Sequence, residues 1–597
     1  PQETQGGADV INTLFVGKTS QTFADALLVY GLALVTNDVL RRIDDTGDVT
    51  VTLRDAGPYY TLDLSPELDP ERLPAVGVYL PPAPVIRTAK NAKQLPQDLP
   101  LQALVDYEAQ RDRRTAYFAA RQNLSKEAQV AMRAGGEHPE LEFLRSLAPH
   151  PDWDVFRAIN PSALAGYNKL TAQWWQIQEG LPDVLAILFS LYSTLPNDTD
   201  AAVAAWKQLD KAHGWGIGAT TTSLQIYNPA QGKGQNRAKA DRLAMENIKD
   251  AFWLSESLKA VGFYHAALTK QPRGSKDRKT YVLRPIEVTL GDSQAIMDGF
   301  ANMMVGAQSS IQSDILADLR YTRALLQHSQ DAGADDFAQL LFRRRQPARI
   351  VGGFYSAYYK NLGNSAATMN LSFIGLPGWI RVRSAEDVDV AIAILDEHER
   401  IVRQFDETHS DDIALLISYR DFISSSDLWP FFDFTAAYSG YIIRQRERAG
   451  GRARQFSDRN LGRLIMNAEP KLRRIIESEG FQNLAYAIRQ STVVAQYRKQ
   501  QSDRRYDVRY GLNQELARKA NYPRDFIAAL SEFIHSYNAE NAQVMENRQG
   551  PYRRSILTTD VEEIVALVDE FGSGLVCQLL LAYGYARTPR KDELDDD

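Results

Sequence analysis

The sequence predicts an α+β fold that is mostly helical, with a mixed α/β N-terminal part followed by a C-terminal helical bundle. Near the N-terminus, the stretch DVTVTLRDAGPYYTLDLS alternates apolar and polar residues as a strand hairpin does. From residue 385 to about 587 the apolar residues show only helical periodicity. With 597 residues, 44% of them apolar, the chain is long enough for several hydrophobic cores.

The chain is predicted to contain three segments. Residues 1–95 pair the helical QTFADALLVYGLALVTNDVLRRI with a hairpin around Ala56-Gly57-Pro58, and form a small α/β unit. Residues 96–384 form a mixed body that is mostly helical from 100 to 215 and has strands in ATTTSLQIY and KTYVLRPIEVTL. From Asp292 onward only MNLSFIGLPGWIRVR, at 369–383, departs from the helical pattern. Residues 385–597 form a basic helical bundle, in which Phe526, Leu530, Phe533 and Tyr537 share one apolar face.

Charge is unevenly distributed along the chain. The formal net charge is −7, yet residues 441–530 carry 19 Lys or Arg against 9 Asp or Glu, which is a net +10 and leaves −17 for the remainder. Such segregation can attract phosphates to one part of an anionic protein. The alternative is an arginine-rich solvated helical surface.

Two glycine-lysine stretches resemble phosphate loops and fail on spacing. The P-loop that VGKTS would end needs a glycine five residues before Gly17, and Asn12 stands there. IYNPAQGKGQNRAKADR has no Ser or Thr after Lys233 to hold magnesium, and the third glycine of a dinucleotide motif is missing near Ala238. Neither stretch predicts a nucleotide site.

No catalytic or metal-binding constellation is recognisable. On one continuous helix, His398 and His409 of DEHERIVRQFDETHSDD would lie about 16 Å apart, too far to share a metal. We expect a solvated charged helix there. The one cysteine, Cys577, lies in an apolar run where a thiol is inert. We therefore expect no catalytic residue, no metal and no cofactor.

The loop at 228–239 combines three features that suit contact with DNA. Its glycines let the backbone approach a surface closely, its cations can meet phosphates, and its amides can read base edges. We predict that it recognises a short motif in duplex DNA, and the alternative is a solvated hairpin tip. The candidate residues are Asn228, Gln231, Gly232, Lys233, Gly234, Gln235, Asn236, Arg237 and Lys239.

Further basic patches are predicted to follow a nucleic-acid backbone. They lie in PRGSKDRKTY, FRRRQPARI and AYYKNLGNSAATMN and along the C-terminal bundle, where Tyr497 and Tyr506 could offer stacking faces if they are not core residues. The candidates are Arg273, Lys276, Arg343, Arg344, Arg345, Lys360, Asn361, Asn364, Arg452, Arg454, Arg463, Arg473, Arg474, Arg498, Lys499, Arg504, Arg505 and Arg509.

These features together resemble the large subunit of a type I CRISPR surveillance complex, the Cascade family. The resemblance rests on the strand-loop-helix with YNPAQGKGQNRAK, on a divergent α/β N-terminal half and on a basic helical end. In that end, VVAQYRKQQSDRRYDVRYGLNQELARKANYPRDFIAALSEFIHSYNAENAQ is similar to the small-subunit-like portion that several large subunits carry at the C-terminus. The similarity covers residues 220–240 and 385–587, and for the first 200 residues only the size agrees.

The resemblance implies a protein that binds DNA without cutting it. Such a subunit meets the 5′ end of a guide RNA, inspects the motif that flanks a target and helps to open the duplex, while base pairing supplies most of the specificity. The implied partners are guide RNA, target duplex DNA with its displaced strand, and the backbone and 5′-handle-binding subunits. A recruited nuclease-helicase or a transposition protein would follow, because no HD nuclease or helicase motif is recognisable.

Two other classes of function remain open on the sequence. One is a nuclease or other enzyme of a defence system whose active site is not recognisable, which would depend on paired carboxylates and a divalent metal. The other is a helical adaptor that binds only protein. Because the chain has one cysteine and its apolar run at 181–195 is too short to span a bilayer, we expect a cytoplasmic protein without membrane contact.

Overall fold

The computed structural model describes most of the chain. The described residues are 10–20, 22–44, 47–133, 136–159, 163–224, 226–227, 250–271, 276–304, 311–361, 366–448, 451–547, 550 and 552–589. By internal contacts the chain forms two compact units. Unit 1 comprises Pro1–Ser309 and Ile350–Phe373, and unit 2 comprises Ser310–Arg349 and Ile374–Asp597. The division predicted from the sequence, 1–95, 96–384 and 385–597, stays a prediction about domains.

Unit 1 combines strands and helices. Its strands are β1 (Ile11–Gly17), β2 (Thr50–Asp55), β3 (Tyr59–Leu68), β4 (Val85–Arg87), β5 (Leu104–Asp106), β6 (Thr220–Thr221), β7 (Ala251–Phe252), β8 (Ala267–Lys270), β9 (Arg278–Pro285), β10 (Glu287–Thr289), β11 (Val351–Asn361) and β12 (Ala366–Gly375). Its helices are α1 (Phe23–Ile43), α2 (Tyr107–Gln122), α3 (Lys126–Arg133), α4 (Pro139–Ser146), α5 (Trp153–Ile159), α6 (Leu164–Gln176), α7 (Leu181–Tyr192), α8 (Thr199–His213), α9 (Trp253–Ala266) and α10 (Leu290–Met303).

Two four-stranded sheets organise unit 1. Their strand orders are β1-β3-β2-β10 and β12-β11-β9-β8, and two short pairs, β4-β5 and β6-β7, stand apart. The predicted hairpin joins β2 to β3: Ala56 N–H donates to the Tyr59 carbonyl at 3.0 Å, and Gly57 takes the positive φ of +89° that the turn requires. Along β3 the side chains of Tyr60, Leu62 and Leu64 are buried in alternation, so one face of this sheet meets the core.

The core of unit 1 depends on a close crossing of α1 and α9. A Cβ atom at Gly31 would stand 1.9 Å from the carbonyl oxygen of Leu258, and one at Gly262 would stand 1.9 Å from that of Leu27. The two helix backbones therefore touch, and only glycine fits at either position. Helix α1 is long and apolar enough to cross a membrane by composition alone, but 83% of its apolar window is buried inside the protein.

Unit 2 is helical throughout the part of it that the structure describes, apart from the end of β12 and one isolated bridge between Ser457 and Arg587. Its helices are α11 (Ile311–His328), α12 (Asp335–Arg344), α13 (Ala385–Val402), α14 (Ser410–Ile423), α15 (Trp429–Glu447), α16 (Asp458–Ala468), α17 (Arg473–Ile476), α18 (Glu479–Arg489), α19 (Ala495–Gln500), α20 (Leu512–Lys519), α21 (Pro523–Glu546), α22 (Thr558–Phe571) and α23 (Ser573–Gly584). A π-helical turn, Gln490–Val494, joins α18 to α19.

The predicted fold class, α+β and mostly helical, is confirmed. The helical stretch from 100 to 215 and the buried face of α21, with Phe526, Leu530, Phe533 and Tyr537, are also as predicted. Two local predictions are wrong. Among the described residues of ATTTSLQIY only Thr220–Thr221 forms a strand, and Tyr227 N–H donates back to the Leu224 carbonyl at 3.4 Å, so the backbone turns there instead of staying extended. The segment around AYYKN is not helical but belongs to β11, which pairs with β9 from Val351 to Tyr359.

The charged stretch around His398 also differs from its prediction. Helix α13 ends at Val402 and α14 begins at Ser410, so His398 and His409 do not share a helix. His398 is not solvated: it is 1% exposed and packs against the rings of Trp379, Phe431 and Phe456. Burial lowers the pKa of His398 to about 3, so the ring is neutral at physiological pH.

Candidate nucleic-acid interface

The structure describes the residues on either side of the segment that contains the predicted DNA-reading loop. The candidates Asn228, Gln231, Gly232, Lys233, Gly234, Gln235, Asn236, Arg237 and Lys239 lie outside the described residues. On either side of them β6 and β7 pair antiparallel, with Thr220 opposite Phe252 and Thr221 opposite Ala251. Trp253 N–H also donates to the Ala219 carbonyl at 3.1 Å. The two ends of the segment 222–250 are thus held together.

A buried carboxylate anchors the residue that immediately precedes the loop. Glu256, fully buried on α9, accepts hydrogen bonds from Tyr227 Oη at 2.8 Å and from Ser223 Oγ at 2.9 Å. Lys259 Nζ lies 2.7 Å from the other oxygen of the same carboxylate. Burial, together with the charge of Glu256, raises the pKa of Tyr227 well above its ordinary value, so its hydroxyl stays a donor. The base of the loop is therefore rigidly positioned on α9.

Three of the candidate backbone contacts in unit 1 meet at one end of the β9–β11 pair. Lys276 and Lys360 are exposed there, and Asn361 N–H donates to Asp277 Oδ1 at 2.8 Å. Tyr358 Oη donates to the other oxygen of Asp277 at 2.6 Å, which orders this end of the pair. Arg273 and Asn364 lie outside the described residues.

Unit 2 brings two arginine-rich segments side by side. Val382 N–H donates to the Arg345 carbonyl at 2.8 Å, and Gln346 Nε2 donates to the Gly378 carbonyl at 2.5 Å. The segment FRRRQPAR therefore lies against IRVR, far away in sequence. We call their exposed arginines the arginine surface: Arg343, Arg344, Arg345, Arg349, Arg381 and Arg383.

Backbone geometry at Arg345 supports a role for this surface beyond folding. Arg345 ends α12 in the left-handed region, with φ of 63°, where glycine is the usual residue. A non-glycine residue there costs about 1–2 kcal/mol. An exposed arginine at a position that favours glycine motivates the hypothesis that this surface has a function.

Helix α16 extends the arginine surface. Asn467 clamps the backbone of Arg381: it accepts from Arg381 N–H at 3.0 Å and donates to the Arg381 carbonyl at 2.8 Å. Arg463, a sequence candidate, stands one turn before Asn467 on the same face of α16. Its pKa is lowered, first by partial burial and then by the charge of Arg459 nearby, as expected where cations are crowded. Arg381 and Arg383 were missed from the sequence, although their alternation about the buried Val382 was a signal.

The remaining candidate phosphate-binding residues of unit 2 differ in whether another side chain contacts them. Arg473 pairs with Glu477 at 3.1 Å, Arg474 with Glu570 at 2.6 Å and Arg505 with Asp503 at 2.6 Å. Arg509 donates to Ser536 Oγ at 2.9 Å, and Lys499 donates to Tyr510 Oη at 2.6 Å. Arg452, Arg454 and Arg504 have exposed side chains that contact no acidic group among the described residues. The charges of these three arginines are therefore available to a phosphate.

The two candidate stacking tyrosines have opposite environments. Tyr497 is 56% exposed on α19, so its ring is available to a base. Tyr506 is 5% exposed, with the guanidinium groups of Arg498 and Arg553 over its ring at 5.8 and 3.6 Å. Of the two alternatives that the sequence leaves open, Tyr506 is the core residue, because Arg498 and Arg553 cover its ring. Arg498 thus has a packing role as well as a charge.

A groove in unit 1 was missed from the sequence because its walls come from separated segments. It has a volume of about 1260 Å³ and is lined by residues 88–97, by the first turn of α2, by α6 and by residues 215–218. Its cationic side chains are Lys90, Lys93, Arg111 and Lys169, against one acidic residue, Glu108. The lining is otherwise rich in amides.

Residues of the rejected VGKTS stretch have structural partners. Lys18 pairs with Asp55 at 2.5 Å, and Ser20 Oγ donates to Asp25 at 2.7 Å. Burial raises the pKa of the Cys577 thiol to about 12, which keeps it protonated and unreactive. Within the described residues, no three His, Cys, Asp or Glu side chains come together as a metal site would need.

Comparison with known proteins adds no relative. The sequence matches no protein-family model, and no curated protein matches it.

Proposed function

We propose that this chain is a non-catalytic, nucleic-acid-binding large subunit of an RNA-guided DNA surveillance complex of the type I Cascade kind. In this proposal it recognises the motif that flanks a target in duplex DNA, contacts the 5′ end of the guide RNA and stabilises the opened duplex. The guide supplies sequence specificity by base pairing, so the protein needs only a short reading element and cationic surfaces.

The arginine surface is the observation that carries the proposal. Six exposed arginines lie on two distant segments that hydrogen bonds hold together, and Arg383 also pairs with the carboxylate of Asp387 at 3.1 Å. Guanidinium groups bind phosphate oxygens through paired hydrogen bonds. A phosphate backbone is therefore the partner that best matches this concentration of arginine on a protein of net charge −7.

The anchored base in unit 1 supports the second part of the proposal. An element that reads base edges has to be held in place, since a loosely held contact loses selectivity. The bonds from Ser223 and Tyr227 to Glu256 provide such a support immediately before the loop, and β7, which is paired with β6, begins twelve residues after Lys239. The amides and cations of the loop then supply base and phosphate contacts.

A salt titration tests the proposal on the arginine surface. We would measure the affinity of the full chain for duplex DNA, for wild type and for the Arg343→Glu/Arg349→Glu/Arg381→Glu variant, over a range of salt concentrations. Each phosphate contact contributes about 0.9 to the log-log salt slope in duplex DNA. We expect the slope to become shallower by about 2 to 3 if each of the three arginines meets one phosphate.

A charge-matched variant controls for net charge. Lys126, Arg145 and Lys207 are exposed on α3, α4 and α8 of unit 1, so Lys126→Glu/Arg145→Glu/Lys207→Glu adds the same acidic charge on residues that are not part of the arginine surface. We expect this variant to keep nearly the wild-type slope. An equal loss in both variants would mean that net charge alone governs binding, and wild-type behaviour of the arginine-surface variant would exclude that surface.

A further inference from the structure

The groove of unit 1 has a prearranged shape. Asn168 on α6 accepts from Ile86 N–H at 3.0 Å and donates to the Ile86 carbonyl at 2.7 Å, which fixes the strand that leads into the groove wall. Asn91 closes the following turn by accepting from Thr88 N–H at 2.7 Å. Trp175 Nε1 then donates to Asp98 at 3.0 Å and ties the far end of the wall to α6.

The charge of the groove favours an anionic ligand. Lys90 and Lys93 are exposed on the wall formed by residues 88–97, and Lys169 is exposed on α6. None of these three lysines contacts an acidic side chain within the described residues. Ammonium groups that have no acidic partner and lie on two walls of one groove attract phosphate or carboxylate groups.

A buried hydrogen-bond acceptor places a second requirement on the ligand of the groove. Gln173 lines the groove and is 4% exposed, and its Oε1 has no hydrogen-bond partner within the part of the chain that the structure describes. An acceptor left unpaired at a buried site is destabilising, so a ligand that supplies an N–H or O–H donor to it binds more tightly. Carboxylate and phosphodiester groups have no such donor. The ligand therefore combines anionic groups with donors.

The volume of the groove favours a polymer over a small molecule as its ligand. The volume of about 1260 Å³ exceeds the range of roughly 300–1,000 Å³ that is usual for small-molecule sites. A nucleic-acid strand offers a phosphate at each step and base or sugar donors between phosphates. A duplex hides its bases in pairs, whereas an unpaired strand presents base edges to the amides of a groove.

We infer that this groove binds a single-stranded segment of nucleic acid, with Lys90, Lys93 and Lys169 on its phosphates and Gln173 accepting a hydrogen bond from a base or sugar. This inference rests on the proposed function and adds a second binding site to it, separate from the arginine surface. An acidic peptide, which also carries amide donors, is the competing occupant.

Oligonucleotide binding to the full chain tests the inference. The probes are fluorescein-labelled homopolymers of about ten nucleotides, uridine RNA and thymidine DNA, followed by fluorescence anisotropy. We expect Lys90→Glu/Lys93→Glu/Lys169→Glu to weaken binding of at least one probe more than tenfold, while Lys126→Glu/Arg145→Glu/Lys207→Glu stays within about twofold of wild type. The two sugars distinguish an RNA site from a DNA site.

A neutral substitution tests the hydrogen bond separately from charge. Gln173→Leu should weaken binding of the preferred probe by about threefold to tenfold. It should leave the dependence of the affinity on salt concentration unchanged, because no phosphate contact is lost. The melting temperature of each variant is measured alongside, and Gln173→Glu serves as a second variant of similar size, which retains an acceptor but adds repulsion towards phosphate.

The outcomes separate this inference from the proposed function. If the lysine variant binds both probes as wild type does while the arginine-surface variant binds duplex DNA weakly, the groove inference is wrong and the proposed function stands. If a polyglutamate peptide binds in the groove and displaces neither probe, the groove belongs to an acidic peptide. If wild type binds no nucleic acid, both proposals fail.

Discussion

Tyr227 donates a 2.8 Å hydrogen bond to the buried carboxylate of Glu256, and the predicted DNA-reading loop starts at the next residue, Asn228. Tyr227 is therefore held by a buried network on α9, and the pairing of β6 with β7 holds Thr221 beside Ala251. Under the proposed function, this anchored residue removes part of the conformational freedom that DNA binding by the loop would otherwise cost.

Removal of the carboxylate should destabilise unit 1. Glu256→Leu removes the carboxylate that pairs with Lys259, whose side chain is 8% exposed. It also removes the acceptor of the Ser223 hydroxyl and leaves Tyr227 with the longer 3.3 Å bond to the carbonyl of residue 256. Breaking a buried ion pair from one side costs about 3–5 kcal/mol. We expect a loss of that size in the free energy of unfolding in urea, and a smaller loss for Glu256→Gln, whose amide oxygen still accepts. Glu142→Gln, at an exposed position on α4, should stay within about 0.5 kcal/mol of wild type.

Substitutions in the loop should separate base reading from phosphate binding. Gln231→Ala or Asn236→Ala should lower binding to targets with the correct flank far more than to targets with a wrong flank, by about 1–3 kcal/mol of discrimination. Lys233→Ala and Lys239→Ala should weaken both targets about equally, as phosphate contacts do. The measurement is the affinity for matched duplexes with the two flanks. An unchanged ratio in all four variants would place the flank-reading element elsewhere, with residues 357–370 as the next candidate.

The neutral state of His398 predicts an acid-sensitive unit 2. Tyr419 Oη lies 2.7 Å from His398 Nδ1, and burial lowers the pKa of this histidine to about 3. The unfolded chain takes up a proton below its ordinary pKa of about 6.5, while the folded chain does not. Stability is therefore complete above pH ~6.5 and falls by up to about 1.4 kcal/mol per pH unit as the pH drops towards the folded pKa.

A double substitution isolates this effect. His398→Phe/Tyr419→Phe keeps the aromatic packing and removes both polar partners, whereas Tyr419→Phe alone keeps the histidine. We expect urea unfolding of unit 2 to depend less on pH, between about 5 and 6.5, in the double variant than in the single variant. Identical pH slopes in the two variants would show that His398 is protonated in the folded protein.

The sequence predicts those features that depend on local pattern. Helical periodicity predicts α21, and strand alternation around Gly57 predicts the β2–β3 hairpin. The arginine surface could be only half predicted, since Arg381 reaches Arg345 through a tertiary contact between Val382 and the Arg345 carbonyl. The β11 strand was missed because its tyrosines and glycines were interpreted as a basic patch rather than as the partner of β9.

In the candidate site, too, local sequence pattern does not show what tertiary contacts determine. The exposed Tyr497 and the buried Tyr506 have similar sequence surroundings, and only the packing of Arg553 over Tyr506 distinguishes them. The groove of unit 1 depends on Lys90 and Lys169, which are brought together by the bonds between Asn168 and Ile86. No periodicity or spacing in one segment could indicate such a pair, because each wall is ordinary in isolation.

The RNA that copurifies with this chain tests the central claim most directly. We would express the chain together with the proteins encoded beside it, purify the assembly through a tag on this chain and sequence any bound RNA. The account predicts RNAs of uniform length that share a constant flanking sequence around variable guide segments. An assembly that carries no RNA, or that carries a mixture of cellular RNAs without a shared segment, would contradict membership of an RNA-guided complex.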